Sequence, residues 1–167
     1  MPIRGEVDPQ EVLYRIKRGL SGYISYLATC EMNQAFSEYV LYEPTLRILT
    51  ARGYAVRCEV PCDEQRKSGR GDHKRIDFEA TKDKVRFAIE MKWARKKQVD
   101  VAQDYQKLKS FHTHCQKPRA FLCIFGRRSH IESLILKGGA FVERGRAVYA
   151  EFGVTRYGCR TYEIHNA

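Results

Sequence analysis

The 167-residue sequence has no long apolar run. Its apolar stretches are as short as Ala120–Phe125. A membrane-spanning helix needs roughly 20 apolar residues, so a spanning segment is excluded. Met-Pro-Ile-Arg-Gly-Glu at the start lacks the apolar core of a secretory leader, and a cytoplasmic protein is expected. None of the six cysteines forms a CxxC pair. They read as reduced thiols rather than a disulfide framework. Cys58-x3-Cys62 and His112-x-His114-Cys115 match no standard zinc spacing, so buried thiols and surface histidines are expected there. A Walker loop, a GxGxxG turn and a GxSxG elbow are all missing. Internal repeats and Pro- or Ser-rich linkers are missing too, and the length fits one domain.

Residues of the apolar class make up 43% and charged residues 30%, the balance of a folded globular chain. Lys and Arg exceed Asp and Glu by ten, and the surplus is uneven. Residues 1–50 carry five basic and six acidic side chains, whereas residues 51–167 carry twenty-five and fourteen. A basic body suits a polyanion such as nucleic acid, or serves solubility alone.

Asp8-Pro9-Gln10-Glu11 predicts a helix start, with Asp8 as N-cap, Pro9 in the first turn and Glu11 closing a capping box. Val12, Leu13, Ile16, Leu20, Ile24 and Leu27 follow near helical period. Gly19 and Gly22 mark a break or a close packing contact. A second helix is expected from about Asn33 to Arg52, ending at Gly53, with Pro44 forcing a kink or two abutting helices. Strands are expected at Tyr54–Val60, Lys74–Ala80 and Val85–Trp93, the last two joined by a tight hairpin over Thr81–Lys84. A helix over Asp100–His112 places Val101, Tyr105, Leu108 and Phe111 on one side. Arg119–Phe125 reads as a strand covered on both faces. A short helix near Ile131–Leu136 and a terminal hairpin of Ala147–Phe152 with Arg160–Ile164 complete the chain. The expected class is α/β, with a mixed central sheet flanked by helices.

Strand alternation sends Phe87, Ile89, Met91 and Trp93 to one face, and Ala88, Glu90 and Lys92 to the other. In the preceding strand, Ile76 and Phe78 face one way, Asp77 and Glu79 the other. One face of the hairpin would then gather Asp77, Glu79, Glu90 and Lys92. Two carboxylates from adjacent strands can hold a hard cation such as Mg²⁺ or Mn²⁺. Such an ion polarises a phosphodiester and acidifies a bound water. A nearby lysine can orient that water and stabilise charge on phosphate. The plainer reading of Glu90 and Lys92 is an exposed cross-strand ion-pair face.

Asp77 followed by Glu90-Met91-Lys92 resembles the D…ExK signature of the PD-(D/E)xK nuclease superfamily. The helix–strand–strand–strand–helix–strand order read above is similar to its restriction-endonuclease-like αβββαβ core. The resemblance covers about Asn33–Phe125; Ile76 stands where the signature has proline. It implies a core at 33–126, an extra N-terminal helix in an extension at 1–32, and a β-hairpin in a C-terminal addition at 127–167. It also implies an Mg²⁺- or Mn²⁺-dependent nuclease acting on DNA in preference to RNA, with a homodimer as one working form. Asp77 and Glu90 would hold the metal and Lys92 would assist the attacking water. Glu38, with Glu43 as fallback, would be the helix glutamate. Gln103 and Tyr105 loosely resemble a glutamine and a tyrosine found near the site in one branch, and Glu79 would be peripheral. Arg66, Lys67, Arg70, Lys74 and Arg75, in a glycine-containing basic segment, and Arg95, Lys96 and Lys97 after the ExK would contact the nucleic-acid backbone. The alternative is a non-catalytic module that keeps the fold and binds nucleic acid or protein.

Overall fold

A computed structural model describes residues 8–32, 36–62, 74–114 and 119–165. Helix α1 runs Pro9–Thr29. Asp8 caps it as expected, its carboxylate accepting from Gln10 N at 3.0 Å. Glu11 closes no capping box; its carboxylate pairs with Arg15 and Arg52 instead. The helix passes both glycines without a break. A Cβ at Gly19 would lie 3.0 Å from Ile48 Cδ1, so this glycine permits a close approach to the next helix.

That second helix is shorter than expected. A 3₁₀ turn, Glu38–Leu41, abuts α2, Tyr42–Ala51. Pro44 falls in the first turn of α2, where no intrahelical N–H is required. Gly53, at φ 82°, ends the helix. Tyr54 N donates back to Leu49 O, and Gly53 N to Thr50 O, the paired bonds of a Schellman cap.

Strands β1 (Ala55–Pro61), β2 (Arg75–Lys82) and β3 (Val85–Ala94) form an antiparallel meander. Short β4 (Gln98–Asp100) and helix α3 (Ala102–His114) lead to β5 (Arg119–Arg127), which pairs parallel to β3. Helix α4 covers only Arg128–Ile131. The rest of the helix expected near Ile131–Leu136 is replaced by β6 (Ile135–Lys137), parallel to β4. Strands β7 (Phe141–Glu143), β8 (Val148–Tyr149) and β9 (Tyr157–Ile164) follow. The large sheet runs β1-β2-β3-β5-β9-β7, with β8 also on β9. The protein is therefore α/β, with a mixed, mostly antiparallel sheet flanked by helices.

Two apolar layers sandwich the sheet. Helices α1 and α2 cover one face through Leu13, Ile16, Leu20, Ile24 and Leu49, packed on Phe78, Phe87, Phe121 and Phe125. Val101, Leu108 and Phe111 at and within α3, with Val99 and Ile131, cover the other over Ala88, Leu122 and Ile124. The segments expected as additions are built into this core. Five fully buried or nearly buried α1 side chains line the first layer, and β9 lies inside the sheet between β5 and β7. The terminal hairpin is thus a pair of strands on one sheet, not an appendage. Among the described residues, no helix is long and apolar enough to cross a membrane. The described cysteines are all free; Cys30 and Cys58 are exposed, whereas Cys62, Cys123 and Cys159 are buried.

Candidate active site

Strand alternation holds along β3: Phe87, Ile89 and Met91 join the α1/α2 layer, and Ala88 joins the α3 layer. In β2 it fails. Phe78 and Ala80 lie in the first layer, but Ile76 packs in the second with Val60 and Ala88, contrary to expectation. The break falls on Asp77. The β2–β3 ladder extends only to Phe78 opposite Ile89. Beyond it, Asp77 N donates to Glu90 Oε1 at 3.2 Å, and Met91 N donates to Asp77 Oδ2 at 2.7 Å. Each carboxylate thus bonds the other strand's backbone. Buried N–H groups must find acceptors, and here side chains supply what the ladder no longer does. The paired register ends there, and Ile76 lies in the second apolar layer.

Further groups close on this opening from both layers. From α2, the Tyr42 hydroxyl donates to Asp77 Oδ1. From α3, Lys107 Nζ donates to Glu90 Oε2 at 2.6 Å and to Arg75 O at 3.1 Å. Lys92 Nζ meets Asp104 Oδ2 at 2.6 Å. The Glu38 carboxylate, in the 3₁₀ turn, accepts from Trp93 N at 3.2 Å. Phe36 stacks on Trp93 and fixes that turn against the sheet. Opposite Asp77 on β1, Glu59 sits at φ 53°, a left-handed conformation costly for a glutamate.

The electrostatics follow from burial. Glu90 is 1% exposed. Burial, then the Asp77 charge, lifts its carboxyl well above the ordinary range, with Lys107 opposing. Burial likewise raises Asp77, while the bonds from Tyr42 and Met91 pull it back. Tyr42 is pushed up by burial and by Asp77, with Glu59 adding to it. Burial presses Lys107 down, but Glu90 and Asp77 override it and hold the ammonium charged. Burial is thus the largest cause at both carboxyls, and the Lys107 ammonium offsets part of it.

Asp77 and Glu90 therefore meet at the opening, whereas Lys92 pairs with Asp104 and Glu38 bonds the Trp93 backbone. Other expected residues do not join it. The Glu79 carboxylate is committed to Arg86 at 2.9 Å and Arg57 at 3.7 Å. Glu43, the fallback glutamate, pairs with Arg47 in the exposed first turn of α2. Gln103 is exposed, and Tyr105 packs its ring edge-on against Phe141. Lys74, Arg75, Arg95, Lys96 and Lys97 are exposed, as nucleic-acid contacts require. Arg66, Lys67 and Arg70 lie outside the described residues.

Sequence reasoning missed Asp104, Lys107, Tyr42 and Glu59. Asp104 had a readable sign. It falls on the stripe Val101, Asp104, Leu108, Phe111, and an acid on an apolar stripe needs a buried partner. Lys107, one helical turn further, shares that neighbourhood. Tyr42 and Glu59 carried no such signal.

Among the described residues, no group of three or more Asp, Glu, His or Cys is arranged to hold a metal. The Asp77–Glu90 donor set is all oxygen, the type hard divalent cations prefer, and each oxygen keeps a second lone pair. In donor chemistry, though with only two carboxylates, the pair fits a hard cation. Comparison with protein-family models, curated proteins and solved structures found no match for this chain.

Proposed function

We propose that the protein is a metal-dependent nuclease hydrolysing DNA phosphodiester bonds, with a restriction-endonuclease-like core. One observation carries the reading: Asp77 and Glu90 interlock in the parted β2–β3 strands, with Lys92 two residues further along β3. The order α2, β1, β2, β3, α3, β5, with only the short β4 inserted before α3, supports it. Asp77 and Glu90 would hold Mg²⁺ or Mn²⁺, which when bound supplies Lewis-acid polarisation of the phosphate and an acidified water. Lys92, oriented by Asp104, presents its ammonium to the attacked phosphate or to the attacking water. Glu38 bonds the Trp93 backbone just past Lys92 and steadies the end of that strand. Lys107 is the carboxylates' counter-ion in the metal-free protein.

A second reading draws on the same ion pairs. Glu90 and Lys92 are each already matched, by Lys107 and Asp104, and a closed set of pairs suits a non-catalytic nucleic-acid-binding or protein-interaction module. Incubation with single-stranded, duplex and branched DNA and with RNA, in Mg²⁺, Mn²⁺ or chelator, tests the choice. The nuclease reading expects DNA cleavage with either metal and none in chelator. No cleavage, together with no calorimetric Mn²⁺ binding, leaves the module.

A further inference from the structure

Most described arginines have a carboxylate partner, such as Glu163 for Arg119 and Arg144, and Glu143 for Arg160. Five exposed cations lack any ion pair or side-chain hydrogen bond within the described structure and stand near one another: Arg95, Lys96, Lys97, Arg127 and Arg156. Sheet register brings them together. Ala94, at the end of β3, pairs with Gly126, and Gly126 pairs with Gly158. Arg127 pairs with Tyr157, next to Arg156. Arg128 N donates to Arg156 O at 2.8 Å. Ile135 N donates to Lys97 O at 2.8 Å, and the His130 ring lies 3.3 Å from Ala94 O, so the 95–97 segment is tied beside α4.

An open cleft of about 430 Å³ lies at this end, lined among others by Arg127, Arg128, Ser129, Glu132, Thr155 and Arg156. Its one carboxylate is taken: Glu132 binds Arg128, whose guanidinium also lies over the Tyr149 ring. Arg127 and Arg156 stay uncompensated, with two hydroxyls beside them. Like charges gathered without counter-ions form a positive field that an anion relieves.

We infer that this cleft, with the adjoining Arg95–Lys97 segment, binds backbone phosphates of the nucleic-acid strand that passes through the Asp77–Glu90 site. The inference rests on the function proposed above and names where the substrate runs beyond the reacting bond. Lys92 pairs with Ile124, three residues before Arg127, so the cleft begins about 10 Å further along the same strand end. Guanidinium pairs with hydroxyls suit phosphate oxygens, and they specify position rather than base.

The test is fluorescence anisotropy of a labelled duplex DNA in chelator, over a salt series. The proteins are the parent, Arg127→Ala/Arg156→Ala, and Lys84→Ala in the hairpin turn at the other end of β3. The double variant should bind about ten- to thirty-fold more weakly near physiological salt, with its log–log salt slope reduced by about two. Its melting temperature should stay at the parent's, since neither side chain has a partner to lose. Lys84→Ala should bind as the parent does. Parental affinity and slope in the double variant overturn the cleft while leaving the nuclease reading intact. No binding by the parent itself overturns both.

Discussion

The two edges of β3 contrast sharply. Towards β5 the strand is sealed: eight consecutive pairs run from Phe87–Arg119 to Ala94–Gly126, and the β5 residues Ala120–Gly126 are all buried. Towards β2 the ladder stops at Ile89, and carboxylates bond the next backbone groups. One strand is thus sealed by backbone pairing on one side and opened by carboxylates on the other. An intact ladder leaves no backbone donor and no room for a reactant. A parted one, plugged by acids, creates a polar opening inside a rigid sheet, where charged groups are held by the core itself.

Breaking the sealed edge should have the largest effect. Phe121→Ala removes a fully buried ring that packs edge-on against Phe87, and should cost about 3–5 kcal/mol in chemical denaturation. Manganese affinity of the folded variant, measured by calorimetry at low temperature, should stay near the parent's. A loss of metal binding would mean the two edges are not separable.

The open edge should respond in activity. Asp77→Asn should lower cleavage by about 10³-fold and weaken Mn²⁺ binding, because an amide oxygen is a poorer ligand for a hard cation. Lys92→Ala should lower the rate on the order of 10²-fold yet leave metal affinity equal or slightly raised, since one repelling charge is gone. Parallel calorimetry and single-turnover cleavage read both variants. Full activity in Lys92→Ala, or parental metal binding in Asp77→Asn, would make this edge structural like the other.

Lys107→Met sharpens the contrast more finely. It leaves the Glu90 carboxylate without its counter-ion and opens the site to an added cation. Mn²⁺ affinity should rise about tenfold, while the metal-free melting temperature falls by several degrees, as when one partner of a buried pair is removed. Unchanged values for both would deny Lys107 the counter-ion role.

The smallest effect belongs to a charge at the sealed end. Burial pushes Glu163 up, but Arg119 and Arg144 override it and hold the carboxyl below the ordinary 4.5. A depressed folded value contributes stability above 4.5 that is lost as pH falls through the folded value. Glu163→Gln should therefore cost about 1 kcal/mol at neutral pH, and less as the pH drops below that range. Denaturation midpoints across pH would show it. At the open edge the sign reverses: Asp77 and Glu90, both raised, weigh against the metal-free fold at neutral pH and are relieved on acidification.

Periodicity made much of this legible. The α1 stripe from Val12 to Ile24, the hairpin expected over Thr81–Lys84 and the doubly covered β5 were readable because each is a local pattern facing a single environment. The Asp77, Glu90 and Lys92 set was readable because adjacent antiparallel strands and a period of two bring those positions together. Ile76 defeated the same rule, since the rule assumes an unbroken ladder. Asp104 and Lys107 were passed over in favour of Gln103, which is exposed, and Tyr105, which packs on the second layer and on Phe141.

The sequence by itself determined the α/β class, the strands and helices of the middle of the chain, and which charged residues share the face of β3. Those properties depend on neighbours in the chain. Only the tertiary structure decided that α1 and β9 belong to the central core, that β2 parts from β3 at Asp77, and that Tyr42, Asp104 and Lys107 close on the gap. Each depends on groups far apart in sequence meeting in a low-dielectric interior, where every buried donor and charge must find a partner. Local pattern carries no record of that requirement, because the partner is chosen by packing.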